Sequence, residues 1–325
     1  MGPHQGRHAR SIHSCRRTGT RLGWHGPKGT YPATPIRKLP LFGCFAEYIN
    51  NMQRRCGVTI PWYIMTSPIN DADTRKFFKD NRYFGLDPSA VFIFPQAMMP
   101  AVDIKTGKVL LETVDSMALS PNGHGGSLKA LYTSGAIADM KKRGIQHISY
   151  TQVDNPIVRV LDPIFIGLHD IDGAQMSSKM LPKREPLEKL GNFCVVDGKL
   201  TVIEYSDLPD ALAHERLLNG QLRFLAGSIA IHLLMVDFVA SLNEQVGGFA
   251  LPFHRAEKKV PYLDGASGQQ IKPDKSNAVK LETFVFDALP MCSKSIIYET
   301  DRADELPRSR MPMPRERWTA RKRAN

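Results

Sequence analysis

Cysteine is scarce in this chain and poorly arranged for disulfide or metal work. Five are present, Cys15, Cys44, Cys56, Cys194 and Cys292. The number is odd and no two stand at CxxC spacing, so neither a disulfide framework nor a zinc site is indicated, and a reducing, cytoplasmic compartment is expected. Long apolar runs are missing too. The longest, around residues 225–239, is interrupted by Ser228, His232 and Asp237, which excludes a convincing membrane-spanning helix. The N-terminus is basic but has no apolar core of the kind a secretory signal needs. Internal repeats, a Walker A loop and a GxGxxG fingerprint are all absent.

What is present is the composition of a globular protein, 42% hydrophobic and 23% charged, with a formal charge of +11. The location of that charge decides its meaning. Residues 1–30 carry six Lys/Arg and no acid, and residues 306–325 carry seven Lys/Arg and one Glu. Each end therefore holds +6, and the body between them is left at −1. A nearly neutral body argues against a nucleic-acid partner, and the two basic ends have the composition of disordered tails.

Three segments have the continuous apolar character of strands buried on both faces: residues 58–65, 90–94 and 145–153. Helical patterns lie between them, over 71–81 and over 128–143, the second stopping at Gly144. This alternation predicts an α/β fold with a doubly wound, mostly parallel sheet. Ligands in such folds sit beyond the carboxyl ends of the strands, where Thr66-Ser67-Pro68, Pro95-Gln96 and Asp154-Asn155-Pro156 fall.

Glycine-rich loops supply the candidate phosphate chemistry. Gly19-Thr20-Arg21-Leu22-Gly23 is followed by Gly26-Pro27-Lys28-Gly29, so amides freed for close approach stand beside two cations. Pro121-Asn122-Gly123-His124-Gly125-Gly126 opens the helix expected at Leu128, an arrangement suited to anions or planar groups. Gln152-Val153-Asp154-Asn155-Pro156 places a carboxylate where a parallel strand ends, the position from which Mg²⁺ is held against phosphates. Each motif alone reads equally as a turn.

In order along the chain, these three motifs join Thr66-Ser67-Pro68, Gln96, Glu204-Tyr205-Ser206, Gly227-Ser228-Ile229-Ala230, Lys258-Lys259-Val260-Pro261-Tyr262 and Phe284-Val285-Phe286-Asp287. The set resembles the UDP-N-acetylglucosamine (UDP-N-acetylhexosamine) pyrophosphorylases and related UDP-sugar pyrophosphorylases, over about residues 19–305. The resemblance implies a nucleotide-diphospho-sugar transferase (Rossmann-like) fold. It also implies a nucleotidyltransferase that joins UTP to a sugar 1-phosphate with Mg²⁺, with N-acetylglucosamine 1-phosphate as the first choice of substrate. By the same resemblance Gly19 belongs to the nucleotide loop, and Arg21 and Lys28 hold the triphosphate and are catalytic. Gln96 and Gly123 recognise uracil, and His124 stands near the nucleotide–sugar junction. Asp154 binds the metal beside the nucleotide, Lys280 contacts phosphate, and Glu204 and Tyr205 contact sugar hydroxyls. Ser228, Phe284 and Phe286 line the pocket at sugar C2, although two Phe on alternate strand positions equally suit core packing.

Three departures qualify this. The family precedes its first glycine motif with an apolar strand and a Leu-Ala-Gly-Gly-type turn, whereas this chain has Ser11-Ile12-His13-Ser14-Cys15-Arg16-Arg17-Thr18. No strand is expected there, so the sheet is expected to lack its first, central strand, with residues 1–18 a disordered basic segment. After residues 301–305 the family continues with a Lys-Asn pair. Here Pro307-Arg308-Ser309-Arg310 enters an Arg/Pro-rich tail, 306–325, so the expected lysine is missing, with Arg308 or Arg310 the candidates to replace it. Both ends are read as altered frames or mis-set boundaries. Third, the N-acetyl-sugar enzymes generally carry Asn where Ser228 stands, and often where His124 stands. A short hydroxyl there makes glucose or galactose 1-phosphate the alternative substrate. A remnant that keeps the fold but does not bind UTP productively is the second class of reading.

Overall fold

The computed structural model describes residues 24–249 and 251–306, and the backbone course of 9–14. Gly19, Arg21, Arg308 and Arg310 lie outside the described residues, as does most of both expected tails.

Strand β1 (Ala9–Ser14) is followed by helix α1 (Leu41–Cys56), β2 (Trp62–Thr66), α2 (Asp71–Asp80) and β3 (Val91–Pro95). Then come α3 (Gly126–Thr133), α4 (Ala136–Lys142), β4 (His147–Gln152), α5 (Pro163–Asp172), β5 (Met176–Pro182), β6 (Gly191–Val196), β7 (Lys199–Ile203) and β8 (Ala226–Met235). The chain closes with α6 (Val236–Glu244), β9 (His254–Lys258), β10 (Ala278–Glu282), β11 (Ile297–Glu299) and α7 (Arg302–Glu305).

The three expected strands form as β2, β3 and β4. All of β2 is buried, and its residues alternate between two cores. Trp62 and Ile64 pack with α1, whereas Tyr63 and Met65 pack with residues of α3, α4 and α6. A strand whose two faces both meet helices must be apolar at every position, which is why its run is continuous. Helix α1 has Leu41, Phe42, Phe45, Ala46 and Ile49 on one buried stripe and is closed by Gly57 at φ 65°. Its Phe42 ring stands 4.9 Å from Phe78 of α2 and 6.0 Å from Trp62. The helix expected over 128–143 is two helices, α3 and α4, because Gly135 takes the left-handed conformation at φ 81°.

Two expectations are corrected. First, the central strand is not missing. β1 lies between β4 and β2 and pairs in parallel with both, Ile12 opposite Tyr150 on one side and Tyr63 on the other. A strand with partners on both sides satisfies its amides through the neighbours, so its own weak apolar pattern does not prevent it from forming. Second, the main sheet is mixed rather than mostly parallel. Its order is β7-β6-β8-β4-β1-β2-β3, with β5 beside β8 and β11 beside β5. Pairing is parallel from β4 to β3, but β8 runs antiparallel to β4, β5 and β6. Strands β6 and β7 form a hairpin closed by Asp197 and Gly198 at φ 51° and 76°, the backbone of a two-residue turn that dictates antiparallel neighbours. A small antiparallel sheet of β9, β10 and Val102–Asp103 stands apart from it. Among the described residues no helix is long and apolar enough to cross a membrane.

Candidate active site

Lys28 opens a single helical turn, Lys28–Thr30, held by Thr30 Oγ1 donating to the Pro27 carbonyl (2.8 Å) and by Trp24 Nε1 donating to Thr30 Oγ1 (2.9 Å). The next residue, Gly29, lies flat against Phe42, whose ring carbons stand 2.2 Å from where a β-carbon would be. The turn is thus wedged onto α1, and it delivers the Lys28 ammonium to Asp154, just past the end of β4, at 2.6 Å. The Asp154 side chain is 45% exposed. An ion pair this open contributes little stability, about 0–1 kcal/mol, so both partners are available for exchange onto a ligand.

The second glycine loop is built on backbone contact. Gly123 has φ 58°, and a β-carbon on it would lie 2.1 Å from the Thr283 carbonyl oxygen. One on Gly125 would lie 2.6 Å from the Phe284 nitrogen. Gly125 N donates to the Thr283 carbonyl at 2.8 Å, and Val285 N donates to His124 Nδ1 at 3.1 Å, which puts the proton of the neutral imidazole on Nε2. Beneath the loop, Gln96 is 2% exposed and neither its amide nitrogen nor its amide oxygen has a hydrogen-bond partner among the described residues. A methyl on Gly126 would stand 3.1 Å from that oxygen. A buried, unpaired amide costs about 1–3 kcal/mol, and a ligand with complementary edges removes the cost.

Aromatic rings extend this wall. His124 is stacked on Phe284 at 5.0 Å and meets Phe286 edge-on at 5.5 Å, and His254 lies 4.4 Å from Phe284. His254 Nε2 is 2.9 Å from Asp287 Oδ2, which also accepts from Phe284 N at 3.1 Å. Opposite in register, Gly191 pairs with Ser228. A β-carbon on Gly191 would meet Val202 at 2.6 Å, Ser228 Cβ at 3.6 Å and Glu204 Oε1 at 3.8 Å, so the three residues converge. Burial holds the Glu204 carboxyl above its ordinary pKa, with Asp207 adding, His254 opposing and Asp287 adding. Such a group favours the fold fully below its unfolded pKa, and the benefit is lost as pH rises through the raised folded value. Glu204→Gln is therefore expected to raise Tm at pH 7.5 by about 2 °C. In thermal melts that gain is expected to vanish below about pH 4.

The structure thus brings together Lys28 with Asp154, Gln96 with the Gly123 loop, His124 with Phe284 and Phe286, and Gly191 with Ser228 and Glu204, whose carboxyl feels the charges of His254 and Asp287. Phe286 is also part of the main core, as the packing reading of that residue has it. Two candidates remain. Tyr205 is 46% exposed and lines a cleft of about 150 Å³ with Lys183, Asn192 and Leu208. Asn192 follows Gly191 on β6, so this cleft is on the opposite face of the sheet from Gly191 and Ser228. Lys280, on β10, has its pKa lowered by burial, with Glu282 opposing and Lys258 adding. Gly191, His254 and Thr283 were missed in sequence. Gly191 and Thr283 act through space they leave or backbone they lend, which no side-chain motif announces.

Residues 17–307 match the family described as UTP–glucose-1-phosphate uridylyltransferase. The chain belongs to that family. It is 39% identical over 295 residues to the UDP-N-acetylhexosamine pyrophosphorylase-like protein 1 of Xenopus tropicalis, covering 88% of this chain and 57% of that protein. It is 35% identical over 294 residues to the UDP-N-acetylglucosamine pyrophosphorylase of Saccharomyces cerevisiae, covering 88% and 61%. The crystal structure of the Trypanosoma brucei uridine diphosphate N-acetylglucosamine pyrophosphorylase in complex with inhibitor superposes with a TM-score of 0.82 at 28% identity, over 93% of this chain and 61% of that one. The chain spans about three fifths of the length of the curated relatives it matches.

Proposed function

We propose that this member of the uridylyltransferase family joins UTP and N-acetylglucosamine 1-phosphate into a UDP-sugar and pyrophosphate. The observation that carries the reading is the buried amide of Gln96, unpaired at both atoms beneath the Gly123 loop. A donor beside an acceptor, fixed at such depth, matches the imide edge of a uracil ring lying against the glycines. The names of the relatives favour the N-acetylated sugar.

The sugar phosphate is already a nucleophile, so no covalent intermediate is required. Its phosphate oxygen attacks the α-phosphorus of UTP, a P–O bond forms, and the bond to the β-phosphate oxygen breaks to release pyrophosphate. The protein's share is alignment and charge. Lys28 leaves Asp154 to sit against the triphosphate oxygens, and the loop amides and Gln96 fix the base. Glu204, Gly191 and Ser228 form the sugar wall, with Phe284 and Phe286 packing against the substituent at C2.

Asp154 suits Mg²⁺. It offers a hard, solvent-reachable carboxylate, and among the described residues no cluster of three or more His, Cys, Asp or Glu side chains would hold a metal unaided. That donor set fits an ion carried in by phosphates and shared with one carboxylate. When bound, Mg²⁺ neutralises phosphate charge and screens the approach of two anions. Cys44, Cys56, Cys194 and Cys292 are unpaired thiols, which supports a cytoplasmic compartment.

A second substrate reading rests on Ser228, whose short hydroxyl reaches less far than an amide and suits glucose or galactose 1-phosphate. A strand at the centre of the sheet, β1, counts against a remnant. Turnover of the recombinant chain with UTP, Mg²⁺ and each sugar phosphate tests all three. The highest kcat/KM is expected with N-acetylglucosamine 1-phosphate. Preference for a plain hexose overturns that choice, and no product with any of them overturns the enzyme reading. Gln96→Leu gives a separate check: it is expected to stabilise the ligand-free protein by about 1 kcal/mol. It is also expected to raise KM for UTP about tenfold or more, the opposite signs marking a ligand site rather than a packing position.

A further inference from the structure

A buried cluster of charge lies outside the site described above. Lys179 of β5 has no exposed surface, and its ammonium is bonded to Asp162 Oδ2 at 2.7 Å and to Glu305. The same nitrogen sits 5.4 Å and 5.7 Å from the ring centroids of Phe165 and Tyr298, which stack on one another. Asp162 caps α5, and Glu305 ends α7.

This cluster does more than join two helices. Between Asp154 and Asp162 the chain runs as a loop, and α7 is bonded to it repeatedly. Asn155 Nδ2 donates to the Glu305 carbonyl at 2.6 Å, Arg159 N donates to Glu305 Oε2 at 3.2 Å, and Arg159 Nη2 pairs with Asp304 at 2.7 Å. The loop's other polar anchors, Tyr48 on Leu161 and Ser149 on Val160, lie at its far end. Near Asp154, among the described residues, the polar side-chain anchors are Lys28 on Asp154 itself and α7 on Asn155.

Stability alone is a poor reason for such a cluster. Burying one cation and two carboxylates carries a desolvation cost that well-packed apolar side chains would avoid, and in some proteins ion groups of this kind serve to specify one arrangement. Accordingly, we propose that Lys179, Asp162 and Glu305 form a clasp that positions Asp154. Docking of α7 holds Asn155, and through it the preceding carboxylate, in register with Lys28. Glu305 and Asn155 are then positioning residues for the divalent ion and the nucleotide. The kinetic part of this proposal rests on the uridylyltransferase reading.

The test uses the full chain with Glu305→Ala and Asn155→Ala, and manganese(II) with UTP as the probe. The second variant removes one hydrogen bond from a half-buried side chain and keeps the fold available if Glu305→Ala unfolds. Hydrogen exchange of amides 153–161 is expected to quicken about tenfold in Glu305→Ala and severalfold in Asn155→Ala. The half-saturating manganese concentration, followed by electron paramagnetic resonance, is expected to rise about tenfold and threefold respectively. In turnover, kcat is expected to fall by similar factors while KM for the sugar phosphate stays within twofold. Parental exchange and parental manganese binding in Asn155→Ala overturn the clasp. The exchange and binding measurements need no turnover, so a parent chain that forms no product sinks the functional reading and leaves the clasp judged on those two readouts.

Discussion

Lys28→Ala is expected to lower the rate of UDP-sugar formation at saturating substrates by about a hundredfold or more, close to 3 kcal/mol of lost transition-state stabilisation. The protein should melt at nearly the parental temperature. The Lys28–Asp154 pair is open to water at the carboxylate, so removing the lysine leaves no buried, uncompensated charge. Activity and stability therefore part company at this residue. Stopped assays with UTP and the preferred sugar phosphate, set beside a thermal melt, check both halves. Lys28→Arg is expected to recover only part of the rate, because a planar fork replaces a compact charge at a position wedged by Gly29 against Phe42. A loss below fivefold in Lys28→Ala would remove this residue from the machinery.

The second large effect concerns a glycine. Gly123→Ala is expected to destabilise the protein by about 2–4 kcal/mol. The left-handed conformation accounts for roughly 1 kcal/mol of that, and the remainder comes from a β-carbon driven to 2.1 Å from the Thr283 carbonyl. Backbone cannot rotate away as a side chain can, so the loop or the Thr283 segment has to move. Moving it also lifts His124 from its bond with Val285 N and uncovers Gln96. Uridine nucleotide binding should fall with stability. Gly57 is an internal control, since it has a similar φ of 65° and no atom within 4 Å of its missing β-carbon. Gly57→Ala is expected to cost only about 1 kcal/mol, and calorimetric melts of the two variants separate the terms. Equal costs would mean that contact with Thr283 is not what requires a glycine at 123.

How much of this was legible in sequence follows the range of each signal. β2 announces itself because a strand buried on both faces is apolar throughout, and the register of Trp62, Tyr63, Ile64 and Met65 between two cores shows why. The Gly123 loop and Asp154 were visible as residue types at the carboxyl ends of strands. β1 was not, since Ala9–Ser14 contains a single strongly apolar residue, Ile12, and becomes a strand through partners far along the chain. The antiparallel half has a local sign in Asp197-Gly198, which stands between two β-rich runs. The break at Gly135 within one apparent helix was likewise written in the glycine and in no hydrophobic period.

The amino-acid sequence by itself determined the chemical inventory: a cationic turn at Lys28, a carboxylate at 154, a glycine loop at 121–126 and an amide at 96, all in an α/β frame with a neutral body. These are properties of residue type and short spacing, and they survive any arrangement of the whole. The tertiary structure alone decided which of them meet. It paired Lys28 with Asp154 across 126 positions, set Gly191 against Ser228 and Glu204, sent Tyr205 to the other face of the sheet, and buried Lys179 between Asp162 and Glu305. Those outcomes depend on strand partners and on space left by absent side chains, and both are fixed by packing between segments that lie far apart in the chain.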